Sequence, residues 1–311
     1  MLWFFIAILG YALLALVFVL DKFILSKSLG SPALYAFYSS IFMFGALFVL
    51  PFGVQALSSL DWFWALVSGL SFGCGLWAMF TALKRGEASH IAPFIGAMVT
   101  IAVYGMSHVF LSESLSPLQL LGILILIFAS LLLSFEKTKK QSGFHIGFVW
   151  AIIAGFLFGL SHVTAKYLYE IYPFLTAFVW TRASTGFLGI LLLFFPSVYK
   201  EFKKMFSKKK EKLSPARNSS FGKDHVFVIV GIDKLLGIIA IVLIQYAISI
   251  GSVTLVNALS GLQYVLMFLM IYIMTKWAPR LFKEYFTEKE LRIEVFALVL
   301  VLVGSALFVI S

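Results

Sequence analysis

Apolar runs of about twenty residues, separated by short polar breaks, recur along the whole chain. A helix needs about 20 largely apolar residues to cross the hydrocarbon core of a bilayer. Ten segments meet that need: 3–22, 33–51, 62–83, 89–110, 118–135, 146–167, 173–195, 226–249, 252–273 and 293–310. In lipid only helices or closed barrels satisfy every backbone polar group. Barrel strands alternate apolar with polar residues, whereas these runs are apolar on every face. The pattern predicts an all-α integral membrane protein with ten transmembrane helices. Ser116-Pro117 marks the opening of the fifth, and Pro51 and Pro196 close the second and seventh.

Composition removes the soluble classes. Of 311 residues, 61% are hydrophobic and 12% charged, against about 45–50% and roughly 25% in soluble chains. The single cysteine, Cys74, leaves no intramolecular disulfide and no Cys-based zinc site. Met1 to Leu20 carries no charge, and no small-residue cleavage site precedes Asp21-Lys22. That run is expected to be a first span and not a removable signal peptide. Short loops and no targeting peptide fit a multi-pass protein of the plasma membrane.

The net charge of +10 comes largely from one loop, since nine of the 24 Lys and Arg fall between Lys200 and Lys223. Nothing there forms a groove or stacking platform, so nucleic acid is not an expected partner. Phe202, Met205 and Phe206 stand at helical spacing among the lysines, which predicts a short interfacial helix drawn to anionic lipids. A solvated loop is the plainer alternative. The loops joining spans 1–2, 3–4, 5–6, 7–8 and 9–10 together hold 21 of the 24 basic residues. The positive-inside rule places those loops in the cytoplasm and both termini outside.

Self-similarity adds a further layer. Shifting the chain by 165 brings Gly86 onto Gly251, Gly96 onto Gly261 and Ala82 onto Ala247. Shifting it by 144–145 brings Gly10 onto Gly155, Pro51 onto Pro196 and Lys22-Phe23 onto Lys166-Tyr167. The change in offset corresponds to extra residues in the basic 7–8 loop, 197–225. The expected organisation is a five-helix unit over 1–136, a basic linker over 137–145, and a second five-helix unit over 146–311. An odd number of spans per unit forces the copies into opposite orientations. Inverted repeats of this kind characterise secondary transporters with a midplane site.

The stretch Thr81-Ala-Leu-Lys-Arg-Gly-Glu-Ala-Ser89, then Pro93, Ser112-Glu-Ser-Leu-Ser-Pro-Leu-Gln119 and Gly122, resembles the first repeat of the EamA-type drug/metabolite transporters. The second copy reads Tyr246-Ala-Ile-Ser-Ile-Gly-Ser-Val-Thr254, then Pro279, Glu284 and Gly304. The resemblance implies ten helices, alternating access, and a central cavity lined by helices 1–4 and 6–9, with 5 and 10 at the periphery. It also implies cytoplasmic termini, the reverse of the charge count.

Ionisable residues inside a span are expensive and therefore functional candidates. Arg182 lies about nine residues into span 7. His162 and Lys166 share a face of span 6 at i and i+4. Together they would give one wall a positive character suited to a carboxylate or phosphate. The structural alternatives are a snorkelling Lys166 and an Arg182 bonded to carbonyls. Asp233, beside Lys234 in span 8, is a candidate partner for Arg182 or a proton-carrying acid. The two need not pair, because adjacent helical residues point some 100° apart, and a later start to span 8 would leave them interfacial. Asp21-Lys22 reads as an interfacial anchor, and His90 and His108 as helix-bonded or interfacial. Tyr38, Trp77, Trp180, Gln245, Tyr246, Asn257 and Gln263 are candidate shape-setters of a solute site, through ring stacking or hydrogen bonding. Gly155-x-x-x-Gly159 and Gly69-x-x-x-Gly73 offer small-residue faces for close helix approach. Pro93 should bend span 4, and Glu113 and Glu284 are expected to cap helices or gate.

Enzymatic chemistry finds no support: there is no Walker loop, no His-Glu-x-x-His, no Gly-x-Ser-x-Gly and no pair of carboxylates within a span. No cofactor and no metal are expected. Without a nucleotide motif, uphill transport would draw on ion or solute gradients. The function expected is a secondary transporter, an exporter or exchanger of a small polar metabolite or drug-like solute. Protons or another coupling ion, and a homodimer partner, are compatible with it. A non-transporting scaffold or sensor on the same fold is the alternative from another class.

Overall fold

The computed structural model describes residues 1–28, 31–86, 88–134, 137–138, 141–142, 146–206, 223–277 and 288–310. Within these, side chains are described except at 21–28, 88–89, 137–138, 141–142, 197, 201, 204–206, 223–230 and 288–290. Pro279, Glu284, most of the basic 7–8 loop and the side chains of Asp21 and Lys22 lie outside the described residues.

Span 1 is α1 (Leu2–Ser28), and span 2 is α2 (Pro32–Ile41) continued by a 3-10 segment, Phe42–Phe52. Spans 3 to 7 are α3 (Ser59–Arg85), α4 (Ala88–Phe110), α5 (Pro117–Ser134), α6 (Ile146–Ile171) and α7 (Phe174–Leu192). A short helix, α8 (Pro196–Phe206), precedes span 8, which is α9 (Lys223–Ile250). Span 9 comprises α10 (Val253–Ala258) and α11 (Ser260–Trp277), and span 10 is α12 (Glu288–Ile310). Ten of these stretches are long and apolar enough to cross a membrane. A two-residue antiparallel ribbon, Lys137–Thr138 with Gln141–Ser142, sits in the linker.

Local chemistry sets several helix starts. Ser116 and Gln119 form a reciprocal capping box: the Ser116 N–H donates to Gln119 Oε1 (2.9 Å) and the Gln119 N–H to Ser116 Oγ (3.2 Å). Ser58 caps α3 by accepting from the Asp61 N–H and donating to Asp61 Oδ2 (2.6 Å). Ser252 caps α10 by accepting from the Leu255 N–H.

Two spans depart from the uniform helices expected. Span 2 tightens to 3-10 geometry for 11 residues, an unusually long run that includes Pro51 and buries none of its side chains. Span 9 breaks for one residue at Leu259. Span 4 runs through Pro93 as one helix.

The helices pack in related pairs. α1 lies along α9 and α11, and α6 lies along α3 and α4; a shift of five spans exchanges the two sets. α5 and α12 pack on each other at the edge, where Gly122 and Gly304 meet. Gly86 and Gly251 each follow the helix of a corresponding span, α3 or α9. One pair breaks the correspondence. α7 lies along α3, but α2 is not laid along α9 in the same way.

The small residues make these contacts possible. A Cβ at Gly69 would collide with Ser184 and the backbone at Thr185 on α7, and one at Gly155 with Met98 and the backbone of α4. Backbone cannot yield as a flexible side chain can, so both helix pairs require glycine here. Across α3 and α6, Ser68 Oγ donates to the Ser161 carbonyl at 2.9 Å. Gly69→Val and Gly155→Val should each destabilise the bundle by about 1–3 kcal/mol or more. Thermal unfolding of the purified protein in detergent would then show a lower midpoint than wild type, and an unchanged midpoint would contradict this packing.

Candidate functional site

A cavity of about 250 Å³ lies among spans 1, 2, 3, 4, 6, 8 and 9. At about 30 Å³ per water it has room for roughly eight waters or one small solute. Its lining runs from Tyr11 to Phe18 along α1, from Phe72 to Phe80 along α3, and from Asp233 to Gln245 along α9. α3 ends in Lys84 and Arg85 on the basic-loop face, so the cavity extends from mid-bilayer toward that face.

Helical spacing on α3 explains how one helix serves two surfaces. Gly69 and Gly73 fall at i and i+4 and meet α7, while Phe72, Leu76, Met79 and Phe80 fall at i, i+4, i+7 and i+8 and line the cavity. Most of the wall is apolar. Its polar groups are few and mutually held. His162 Nδ1 lies 2.7 Å from Asn257 Oδ1, and Asn257 Nδ2 donates to the Val253 carbonyl at 2.8 Å. That second bond fixes the Asn257 amide, so His162 Nδ1 carries the hydrogen and Nε2 of the neutral ring is an acceptor. Tyr169 donates to Gln245 Oε1 at 2.9 Å, and Gln245 and Gln263 both reach the lining. The Leu259 break falls between two lining residues, Asn257 and Ser260.

Asp233 also lines the cavity, fully buried, with Oδ2 2.9 Å from Lys234 Nζ. Neighbours on the helix thus pair despite their divergent Cβ directions, because the lysine stem is long enough to turn back. Lys234 Nζ also donates to the Tyr35 hydroxyl at 3.2 Å and lies 5.2 Å from that ring's centroid. α9 begins at Lys223, so Asp233 stands well inside the helix and not at its start.

Of the sequence candidates, His162, Asp233, Gln245, Asn257 and Gln263 come together on the wall. Arg182 does not reach it. It lies one layer behind, fully buried, with its guanidinium carbon 4.4 Å from the centroid of Phe72 and 6.0 Å from that of Phe178. Neither Asp233 nor any other described residue gives its three nitrogens a hydrogen bond. The two rings contribute up to about 2 kcal/mol, less than the several kcal/mol that burying an unpaired ion costs. Lys166 donates to the Ser249 carbonyl (3.2 Å) and lies 3.7 Å from Glu170, tying α6 to α9 away from the cavity. Trp77 packs on Phe195 and Tyr38 on Phe37, while Tyr246 meets the Phe174 ring.

Trp180 belongs to a set of contacts on the face opposite the basic loops. Its Nε1 donates to the Gln55 carbonyl at 2.7 Å, and Gln55 N–H donates to Thr176 Oγ1 at 3.1 Å. Beside them the Tyr172 hydroxyl donates to Asp61 Oδ2 at 2.7 Å and accepts from the Ser58 N–H at 3.0 Å. A second group joins Glu113 to Thr254, whose hydroxyl bonds Ser107 at 2.8 Å. Both groups connect the first half of the chain to the second. Nothing in the sequence marked Tyr172 as the partner of Asp61. His90 Nδ1 faces the Leu133 carbonyl on α5 (3.0 Å), and His108 Nδ1 the Glu113 carbonyl in the loop that follows α4 (3.2 Å). Among the described residues, no three His, Cys, Asp or Glu gather as a metal-ligand set.

Comparison with known proteins agrees with this architecture. Residues 1–135 match the EamA-like transporter family. Over 74 residues, 24% of this chain, the sequence is 35% identical to a protein of Sinorhizobium sp. described as an uncharacterized transporter in the cobO 3' region. The chain spans about half, 51%, of the length of that relative. A protein known from a crystal structure shares the fold at 19% identity, with a TM-score of 0.63 over 98% of this chain and 94% of its own. Residues 1–135 of this ten-helix chain are thus similar to the EamA-like transporter family.

Proposed function

We propose that the protein is a gradient-driven transporter that exports or exchanges a small polar metabolite or drug-like solute across the cell membrane by alternating access. The observation that carries this reading is the cavity itself: a hollow in an apolar bundle whose wall holds His162, Asn257, Gln245, Gln263 and the Asp233–Lys234 pair. A bundle that served only as a scaffold gains nothing from such a cluster, because each buried polar group is expensive in lipid.

Two inverted units, 1–136 and 146–311, would form the rocking halves. Packing pairs exchanged by a five-span shift support that division, as do the matching glycines and prolines. Hydrogen bonds close the face bearing Asp61, Tyr172 and Glu113, while the cavity reaches toward the basic loops. Those features fit one of two access states, open toward the cytoplasm by the positive-inside rule. Asp233 is the acid best placed to carry a coupling proton. α8, with Val198 buried and Phe202 packed edge-on against Phe37, suits a basic helix seated on anionic lipids.

Flux into sealed vesicles from a broad metabolite panel tests the proposal. Gradient-dependent uptake of at least one solute is expected, with His162→Ala and Asn257→Ala reducing it about tenfold or more while leaving folding intact. A panel with no flux, or flux indifferent to both substitutions, would remove the cavity from the mechanism. Reporter tags in the 1–2 and 6–7 loops should emerge on opposite sides of the membrane; emergence on one side would end the inverted-repeat account.

A further inference from the structure

Among the described residues, Lys166, Arg182 and Lys234 are the cations set in from the span ends, and two of them are spoken for. Lys166 donates to the Ser249 carbonyl, and Lys234 is paired with Asp233 and bonded to Tyr35. Arg182 has neither carboxylate nor carbonyl among the described residues. A guanidinium presents five N–H donors in a planar fork that matches one oxyanion group. Aromatic faces attract its charge but accept none of those hydrogen bonds in place of such a group.

Its surroundings place it one side chain from the cavity. Phe72 presses on the guanidinium and also lines the cavity. Tyr169 and His162, both within electrostatic reach of Arg182, are bonded to the wall residues Gln245 and Asn257. The barrier is therefore the Phe72 ring together with the packing of α7 along α3.

That packing is the pair that departs from the five-span correspondence. α7 lies along α3, whereas the corresponding α2 is not laid along α9. The lining residues Phe42 on span 2 and Ile238 on α9 are 60% and 51% exposed, so the wall is loosely closed between those two helices. In a carrier of two inverted repeats, the halves trade conformations between states. In the opposite state α7 would meet α3 only through long side chains, as α2 meets α9 here through Tyr35 and Lys234, withdrawing Arg182 from behind Phe72.

We infer that Arg182 is the oxyanion-binding residue of the opposite access state, masked here by Phe72, and that the carried solute bears one carboxylate or phosphate on an apolar body. The inference rests on the transporter reading and names its substrate class. The ring of Phe158 supplies a surface for the apolar body once Phe72 has moved aside, and the fork of Arg182 supplies paired hydrogen bonds for the anion.

Binding to the purified full chain tests it, using benzoate and phenyl phosphate as anionic probes and benzamide as the neutral control. Ligand-dependent thermal stabilisation reports affinity by mass action. At least one anion should bind about tenfold or more tighter than benzamide, the scale of a charge-assisted hydrogen bond. Which anion does so separates a carboxylate site from a phosphate site. Arg182→Gln should abolish that preference, Arg182→Lys should retain part of it, and Phe72→Ala should strengthen anion binding by removing the mask. Should Arg182→Gln fail to fold, the Lys and Phe72 variants decide alone. An anion preference that survives in Arg182→Gln, or no preference in wild type and Phe72→Ala alike, overturns the assignment. Because binding is read without flux, vesicles that transport neutral solutes while anions are ignored would leave the transporter standing and remove Arg182 from it.

Discussion

The hydrocarbon core offers no water to a polar group, so every polar side chain within the spans must find its partner inside the protein. That constraint organises the bundle. Isolated hydroxyls turn back onto their own helices, as Thr81 does onto the Trp77 carbonyl and Thr185 onto that of Thr181. Others bridge helices: Ser68 to Ser161, Ser107 to Thr254, His162 to Asn257. Among the described residues a few buried hydroxyls, those of Ser40 and Thr275, go without a hydrogen-bond partner, but Arg182 is the buried cation left with none. The role proposed for Arg182, with a polar partner that comes and goes, accounts for this burial better than packing does.

Close approach and hollow are two results of the same helix surfaces. Where glycine faces a neighbour, backbones meet and the space closes, as at Gly69 against α7 and Gly155 against α4. One step round α3, the large side chains of Phe72, Leu76 and Phe80 hold α1 and α9 at a distance and leave the cavity. The 3-10 segment after Ile41 and the break at Leu259 lie beside that hollow, at Phe42 and between Asn257 and Ser260. Irregular backbone at such depth is tolerated where it lines a cavity.

Span number and fold class were legible because the requirement behind them is simple: about 20 apolar residues per crossing. The site was half legible. Buried charge and amide groups drew attention to His162, Asp233, Gln245, Asn257 and Gln263, all of which face the cavity. Trp77, Trp180, Tyr38 and Tyr246 were named on chemistry alone and lie elsewhere. Sequences so apolar on every side leave each helix's rotation about its axis unspecified, so which aromatic faces inward cannot be read from periodicity. The Asp61–Tyr172 bond joins residues 111 apart, a pairing that only the folded chain creates. Arg182 was legible as a buried charge, but its place behind the Phe72 ring was not, since that ring stands on another helix.

The central claim is that a largely apolar cavity carrying a few polar groups in mid-bilayer communicates with one membrane face while the other is held shut. Its most direct test places a single cysteine at the lining residue Ser39 in a Cys74→Ser background and applies an impermeant maleimide to each side of oriented, sealed vesicles. The account predicts labelling from the face bearing Lys84 and Arg85, and labelling from the opposite face only after Asp61→Ala and Glu113→Ala release the contacts there. Protection from both sides, or equal labelling from both with those contacts intact, would contradict it.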